Sequence, residues 1–168
     1  VIISAADSRI EYFLTEHDFL SNNPSPVQEV IGRNHFLVEF NENNQIISKI
    51  QVDEPRRIVK QIVFQYDDIT QSLSEKVVYD GTNNLISKTI FGQEEHSREF
   101  LNYLYNLESV RAFEDRYTQI IYGDDGQPDI YKFFDVNGFN YGKMGYFYDA
   151  NGSMSSQVWI EMPSERII

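Results

Sequence analysis

The feature that most constrains this chain is a corner that recurs along it. Six times an aromatic residue is followed by a polar or small tetrapeptide and then by another apolar run. The corners are Phe40-Asn41-Glu42-Asn43-Asn44, Tyr66-Asp67-Asp68-Ile69-Thr70, Tyr79-Asp80-Gly81-Thr82-Asn83, Tyr122-Gly123-Asp124-Asp125-Gly126, Phe134-Asp135-Val136-Asn137-Gly138 and Tyr148-Asp149-Ala150-Asn151-Gly152. An Asp or Asn at the first corner position accepts backbone N–H groups two residues on, and an Asn or Gly at the last tolerates positive φ. A type I turn ending in a left-handed residue is a common short hairpin connection. The Asp135 and Asp149 corners fit this chemistry best. The Tyr66 corner fits worst, because Ile69 and Thr70 are β-branched and resist positive φ.

Strand-like runs fill the intervals: about 36–40, 45–52, 57–66, 73–79, 85–91, 116–122, 128–134, 140–148 and 154–161. Ile58 to Tyr66 is rich in β-branched and aromatic residues. Consecutive strands joined by tight turns are antiparallel neighbours. The expected fold is therefore mainly β, an antiparallel β-meander, either an open twisted sheet or a closed up-and-down barrel. One segment breaks the rhythm. Phe100, Leu101, Leu104 and Leu107 fall on one helical stripe, with Glu94 and Glu95 in the first turn, where they favour the helix dipole. This predicts a helix near 94–107 inserted in the meander. A single domain is expected over 1–168, with a helical or irregular segment over 1–34 and the sheet over 35–161. Within the first segment a short helical or irregular piece is expected from Asp7 to Leu20. Asn22-Asn23-Pro24-Ser25-Pro26 reads as a loop, since each proline disfavours the α region for the residue before it.

Composition narrows function mainly by exclusion. Among 168 residues there is no cysteine, which removes disulfide scaffolds, thiolate metal sites and cysteine nucleophiles. The formal net charge of −12 argues against nucleic acid and anionic membrane as partners, because both demand cationic surface. No window is long and apolar enough for a membrane span. The start at Val1 and the apolar end Ile167–Ile168 read as those of a piece cut from a longer protein. Location is open, with the bacterial cytoplasm preferred.

His17, His35 and His96 share no metal-ligand spacing and read as surface or half-buried residues. The Asp-x-Asn-Gly corners resemble fragments of a calcium loop but lack its closing Glu, so turn chemistry accounts for them. Glu39, Glu75, Asp129 and Glu161 lie in strand-like runs and are expected on the solvent face. No phosphate-cradling or nucleophile motif is present. No catalytic residue, metal site or cofactor is therefore assigned. A carboxylate-based carbohydrate-active site is the last alternative.

Aromatic residues, at 14% of the chain, crowd the C-terminal third. Tyr131, Phe133, Tyr141, Tyr146, Tyr148 and Trp159 are the candidate binding residues, because exposed rings stack on sugars or anchor proteins. Their structural alternative is cross-strand packing. Gly142 and Gly145 within a strand mark a bulge or a close backbone approach.

Tyr122 to Ile160 reads YGDDGQPDIYKFFDVNGFNYGKMGYFYDANGSMSSQVWI. This stretch resembles the β-meander add-on domain of Gram-positive bacterial glycosyltransferases that modify serine-rich-repeat adhesins or wall teichoic acids. It also resembles the YD repeats of large bacterial surface and toxin proteins. The first resemblance implies an extended sheet that binds an acceptor protein or partner subunit, with the sugar-nucleotide site in a separate domain. The functional expectation is a non-catalytic binding module for a protein or glycan, with a homo- or hetero-oligomeric partner covering one face. Two alternatives stand beside it. One is a lipocalin-like barrel holding a small apolar ligand. The other is an acidic immunity or inhibitor protein capping a basic toxin or nuclease.

Overall fold

The computed structural model describes residues 8–54, 56–92, 94–105 and 116–168. The apolar start Val1–Ala6 and the end of the predicted helix, with Leu107, lie outside these residues. The elements are β1 (Arg9–Phe13), α1 (Glu16–Leu20), α2 (Val27–Val30), β2 (His35–Phe40), β3 (Ile46–Asp53), β4 (Arg57–Tyr66), β5 (Leu73–Asp80), β6 (Leu85–Phe91), α3 (Glu95–Tyr105), β7 (Tyr117–Tyr122), β8 (Pro128–Phe134), β9 (Asn140–Tyr148), β10 (Met154–Glu161) and β11 (Arg166–Ile167). The strands lie in one 11-stranded sheet in chain order, β1 to β11. Every register resolved between neighbours is antiparallel.

That order corrects the barrel alternative. β1 and β11 are the two ends of the ladder rather than neighbours. The outer edge of β1 is instead met by Ser25, whose amide donates to the Tyr12 carbonyl at 2.7 Å. The sheet is open, and the lipocalin-like container goes with the barrel.

The corners explain the meander. In five of them the first residue's amide donates to the carbonyl four residues on, and the fourth residue's amide donates back to the first residue's carbonyl. The fourth residue is left-handed each time: Asn44 (φ 62°), Asn83 (67°), Gly126 (78°), Gly138 (79°) and Gly152 (78°). Where Asn41, Asp80, Asp135 or Asp149 leads, its Oδ1 accepts the amides two and four residues on. In the three corners led by Asp, those bonds engage one of the two carboxylate oxygens. The Tyr66 corner differs in the way its β-branched residues require. It is one residue longer, the Gln71 amide donates to the Asp67 carbonyl, and Gln71 takes the left-handed conformation (φ 58°).

Asp80 shows the strength of this device. Amides of Asn84 and Thr82 and two side-chain donors hold its carboxyl down to about 2, below the ordinary 3.8. A depressed folded-state value contributes stability above the unfolded value and loses it as pH falls through the folded one. Asp80→Ala is accordingly expected to lower the melting temperature at neutral pH. The gap from the parent should close as pH falls from about 4 to 2, as read by circular dichroism. An equal gap at both ends of that range would contradict the role of the carboxylate.

The segment before residue 35 departs from expectation. A strand, β1, occupies 9–13 where a helical or irregular piece is expected, followed by the short helix α1. Arg9 to Phe13 pairs in continuous register with Phe40 back to Phe36. The pairing is long-range, because α1, the Asn22–Pro26 loop and α2 intervene, so no local turn announces it. α1 begins on a capping box: the Thr15 hydroxyl accepts the Asp18 amide while Asp18 accepts the Thr15 amide.

The chain divides into two compact units, Val1–Gln65 with Val77–Leu85 and Tyr66–Lys76 with Ile86–Ile168. The core of the first holds Phe13, Val38 and Phe40, with Phe19 of α1 edge-on to Phe13. Lys49 crosses this region with its side chain only 10% exposed. Its ammonium donates to both oxygens of Glu16 at 2.7 and 2.8 Å and lies 3.9 Å from the centre of the Phe19 ring. The core of the second unit holds Phe100, Leu101, Phe133, Tyr141 and Met144. Here α3 lies on the sheet, as its Phe100–Leu101 stripe predicts.

Of the four strand carboxylates, Glu39 contradicts the expectation of a solvent face. It is buried, and its Oε1 has no hydrogen-bond partner among the described residues. Asp129 is exposed, while Glu75 pairs with Lys88 at 2.6 Å and Glu161 with Arg166 at 2.8 Å.

Candidate functional site

Side chains alternate along β8, so Tyr131 and Phe133 point to the same face. Register places Tyr131 opposite Met144 and Phe133 opposite Gly142. Met144, Tyr146 and Tyr148 of β9 therefore share that face. The register slips at the start of β9, where Phe134 pairs with Asn140, so Tyr141 is the extra residue of a bulge. The bulge turns the Tyr141 ring onto the same side, 6.1 Å from the rings of both Phe133 and Phe100.

The position of α3 divides the six candidate aromatics. Phe133 and Tyr141 lie beneath it, at 0% and 8% exposure. They are core residues, and cross-strand and helix packing accounts for both. The Trp159 ring stacks on Phe100 at 5.6 Å and 3° between planes, so one of its faces belongs to the same packing. Gly142 makes this approach possible, because a Cβ there would run into the Phe100 ring. It is both the predicted close approach and the neighbour of the predicted bulge.

Tyr131, Tyr146 and Tyr148 are half-buried, and the first turn of α3 reaches Tyr131 and Tyr146 through His96. Their rings form a row, 5.4 Å from Tyr131 to Tyr146 and 6.4 Å from Tyr146 to Tyr148. The Tyr148 hydroxyl donates to the Pro128 carbonyl at 2.6 Å. The Tyr146 hydroxyl lies 3.1 Å from His96 Nε2. Burial raises the hydroxyls of Tyr131 and Tyr146 above the ordinary 10, so both are neutral phenols at physiological pH.

His96 is the residue that sequence spacing missed. It stands at the start of α3 with its ring 4.8 Å from that of Tyr131. Its Nδ1 lies 2.7 Å from Glu94 Oε1. Glu94 in turn accepts the Ser97 amide at 3.1 Å through Oε2, which makes it the cap of α3. The hydrogen bond to Glu94 lifts His96 above its ordinary 6.5, more than burial lowers it. Burial raises Glu94, but hydrogen bonds from His96 and Ser97 outweigh this and leave it below 4.5. The partner of His96 on the sheet is 50 residues away, a distance no local motif spans. The usable signal was the coincidence of a histidine at a helix start with an aromatic-rich strand pair.

His17 lies in α1, and His35 bonds the Arg33 carbonyl at 2.8 Å. Among the described residues, no three His, Asp or Glu side chains converge as a metal site would require. No helix among them is long and apolar enough to cross a membrane.

No family model matches the chain, and no curated protein matches it. Solved structures do. A point mutant of S. aureus TarM, in complex with fondaparinux, alpha-GlcNAc-glycerol and UDP, aligns over 93% of this chain and 24% of its own, at 12% identity and a TM-score of 0.34. A second TarM structure aligns over the same shares at 10% identity and a TM-score of 0.27. The chain thus spans about a quarter of the length of the solved structures it is similar to.

Proposed function

We propose that the chain is a non-catalytic binding module, that its contact surface is the row of Tyr131, Tyr146 and Tyr148, and that its ligand is a glycan. One observation carries this reading: three half-buried tyrosine rings stand side by side on one sheet face, at the first turn of the helix that buries their neighbours. Sugar rings present C–H faces that pack on aromatic faces, and a row of rings meets successive sugars of a chain. The non-catalytic part rests on how the polar groups are engaged. Burial raises the Tyr131 and Tyr146 phenols above the ordinary 10, so they are held neutral rather than activated as nucleophiles. The sequence resemblance from Tyr122 to Ile160 favours a setting in bacterial glycosylation, where such a module holds an acceptor or partner.

The test is saturation-transfer NMR with a panel of neutral and N-acetylated oligosaccharides. Binding should weaken roughly three- to tenfold on Tyr146→Ala. It should be unchanged on Phe147→Ala, an exposed ring on the opposite face of the same strand. Equal loss with both variants, or no saturation transfer to any saccharide, would refute the reading.

A further inference from the structure

The central hydroxyl of the row is held by a chain of three side chains: Glu94, His96 and Tyr146. Its first link is fixed. Glu94 Oε2 accepts the Ser97 amide, and the Ser97 hydroxyl donates to the Glu94 carbonyl at 2.7 Å, so the carboxylate is pinned to the first turn of α3. An ionised carboxylate only accepts. At 2.7 Å from Glu94 Oε1, Nδ1 of His96 therefore carries a proton in both states of the ring.

The consequence falls on Nε2, 3.1 Å from the Tyr146 oxygen. In the neutral ring Nε2 has a lone pair, and Tyr146 must donate its O–H to it. The phenol then has only lone pairs for anything else. In the imidazolium Nε2 has an N–H, and Tyr146 must accept. The phenolic proton is released to point elsewhere.

We propose that His96 is the specificity-determining residue of the tyrosine row: its proton decides whether the Tyr146 hydroxyl offers a ligand an acceptor or a donor. This rests on the glycan reading for the ligand, but the inversion itself is a property of the free protein. Among the described residues, the ionisable groups that act on or touch the ring are acidic or phenolic. Glu94 precedes α3, Glu95 and Glu99 lie on it, and Tyr131 and Tyr146 come from β8 and β9. The acids favour the imidazolium, so the inversion falls above the ordinary 6.5 of a free histidine. A protonated ring 4.8 Å from Tyr131 also gains a cation–π contact with it.

The decisive experiment is an NMR titration of the ligand-free protein labelled with 15N-histidine. Below the His96 transition both ring nitrogens should be protonated. Above it, Nε2 should become the lone-pair nitrogen while Nδ1 keeps its proton. Glu94→Gln should lower the midpoint, since the hydrogen bond to the Glu94 carboxylate, with its charge second, is what raises it. A neutral ring protonated at Nε2, or a midpoint indifferent to Glu94→Gln, would overturn the proposal. Where a saccharide from the panel binds, its affinity should change about fivefold across the same transition, the worth of one hydrogen bond. That change should vanish in Tyr146→Phe, which keeps the ring and removes the hydroxyl. A pH-dependent affinity that survives in Tyr146→Phe would also overturn it. The predicted nitrogen titration without any saccharide binding would uphold the inversion and refute the glycan reading alone.

Discussion

Phe100→Ala is expected to destabilise the protein by about 3–5 kcal/mol in a denaturant melt. The ring is fully buried and touches three aromatics on the sheet: Phe133 at 5.2 Å, Tyr141 at 6.1 Å and Trp159 at 5.6 Å. Removing it forfeits the transfer energy of a phenyl group and leaves a cavity walled by stiff rings, which collapse poorly. Trp159 is the sole tryptophan and stacks on Phe100, so its fluorescence reports the event directly. A loss below about 1 kcal/mol would mean that α3 contributes little to holding the sheet.

Gly142→Ala is expected to cost about 1–3 kcal/mol, although it adds a single methyl group. The new Cβ would enter the Phe100 ring, and the receiving backbone is a strand paired on both sides. The cause is separable from any general effect of alanine. In a Phe100→Ala background the obstacle is gone. The same substitution should then be neutral, or stabilising by a few tenths of a kcal/mol, because alanine restricts the unfolded chain. A double-mutant cycle measures this change of sign. Additive costs would refute the steric account.

Most of what is local in this fold is legible in the sequence, although the Asp53–Arg57 turn and α2 are exceptions. Corners built from Asp, Asn and Gly hold themselves together with their own side chains, so their residues name them. Strand limits between corners follow within a residue or two. The Tyr66 corner shows the same logic in reverse. Ile69 and Thr70 refuse the left-handed position, and the chain takes one more residue to reach Gln71. What stayed hidden depends on partners distant in sequence. β1 is not legible because its mate lies beyond two helices and a loop. Lys49 looks like an ordinary strand lysine until Glu16 and Phe19 close over it. Glu39 alternates like a surface residue and is buried.

The candidate site was half legible for the same reason. Period-two alternation puts Tyr131, Phe133, Tyr146 and Tyr148 on one face, but it does not say how far along that face the helix reaches. Phe133 and Tyr141 were therefore indistinguishable from Tyr131 and Tyr146 until α3 was in place. His96 is half-buried, as its lack of metal spacing suggests, but spacing does not show its partners, a helix cap and a phenol from another strand.

The self-sufficiency of the corners bears on how such a chain grows. Each one draws its backbone bonds from within five or six consecutive residues, so a strand and its corner form a locally closed cassette. Duplicating or deleting one cassette alters the length of the sheet while leaving every remaining hairpin intact. Tandem copying in the gene therefore acts on this architecture as a ruler, and relatives are expected to differ by whole cassettes rather than by ragged insertions.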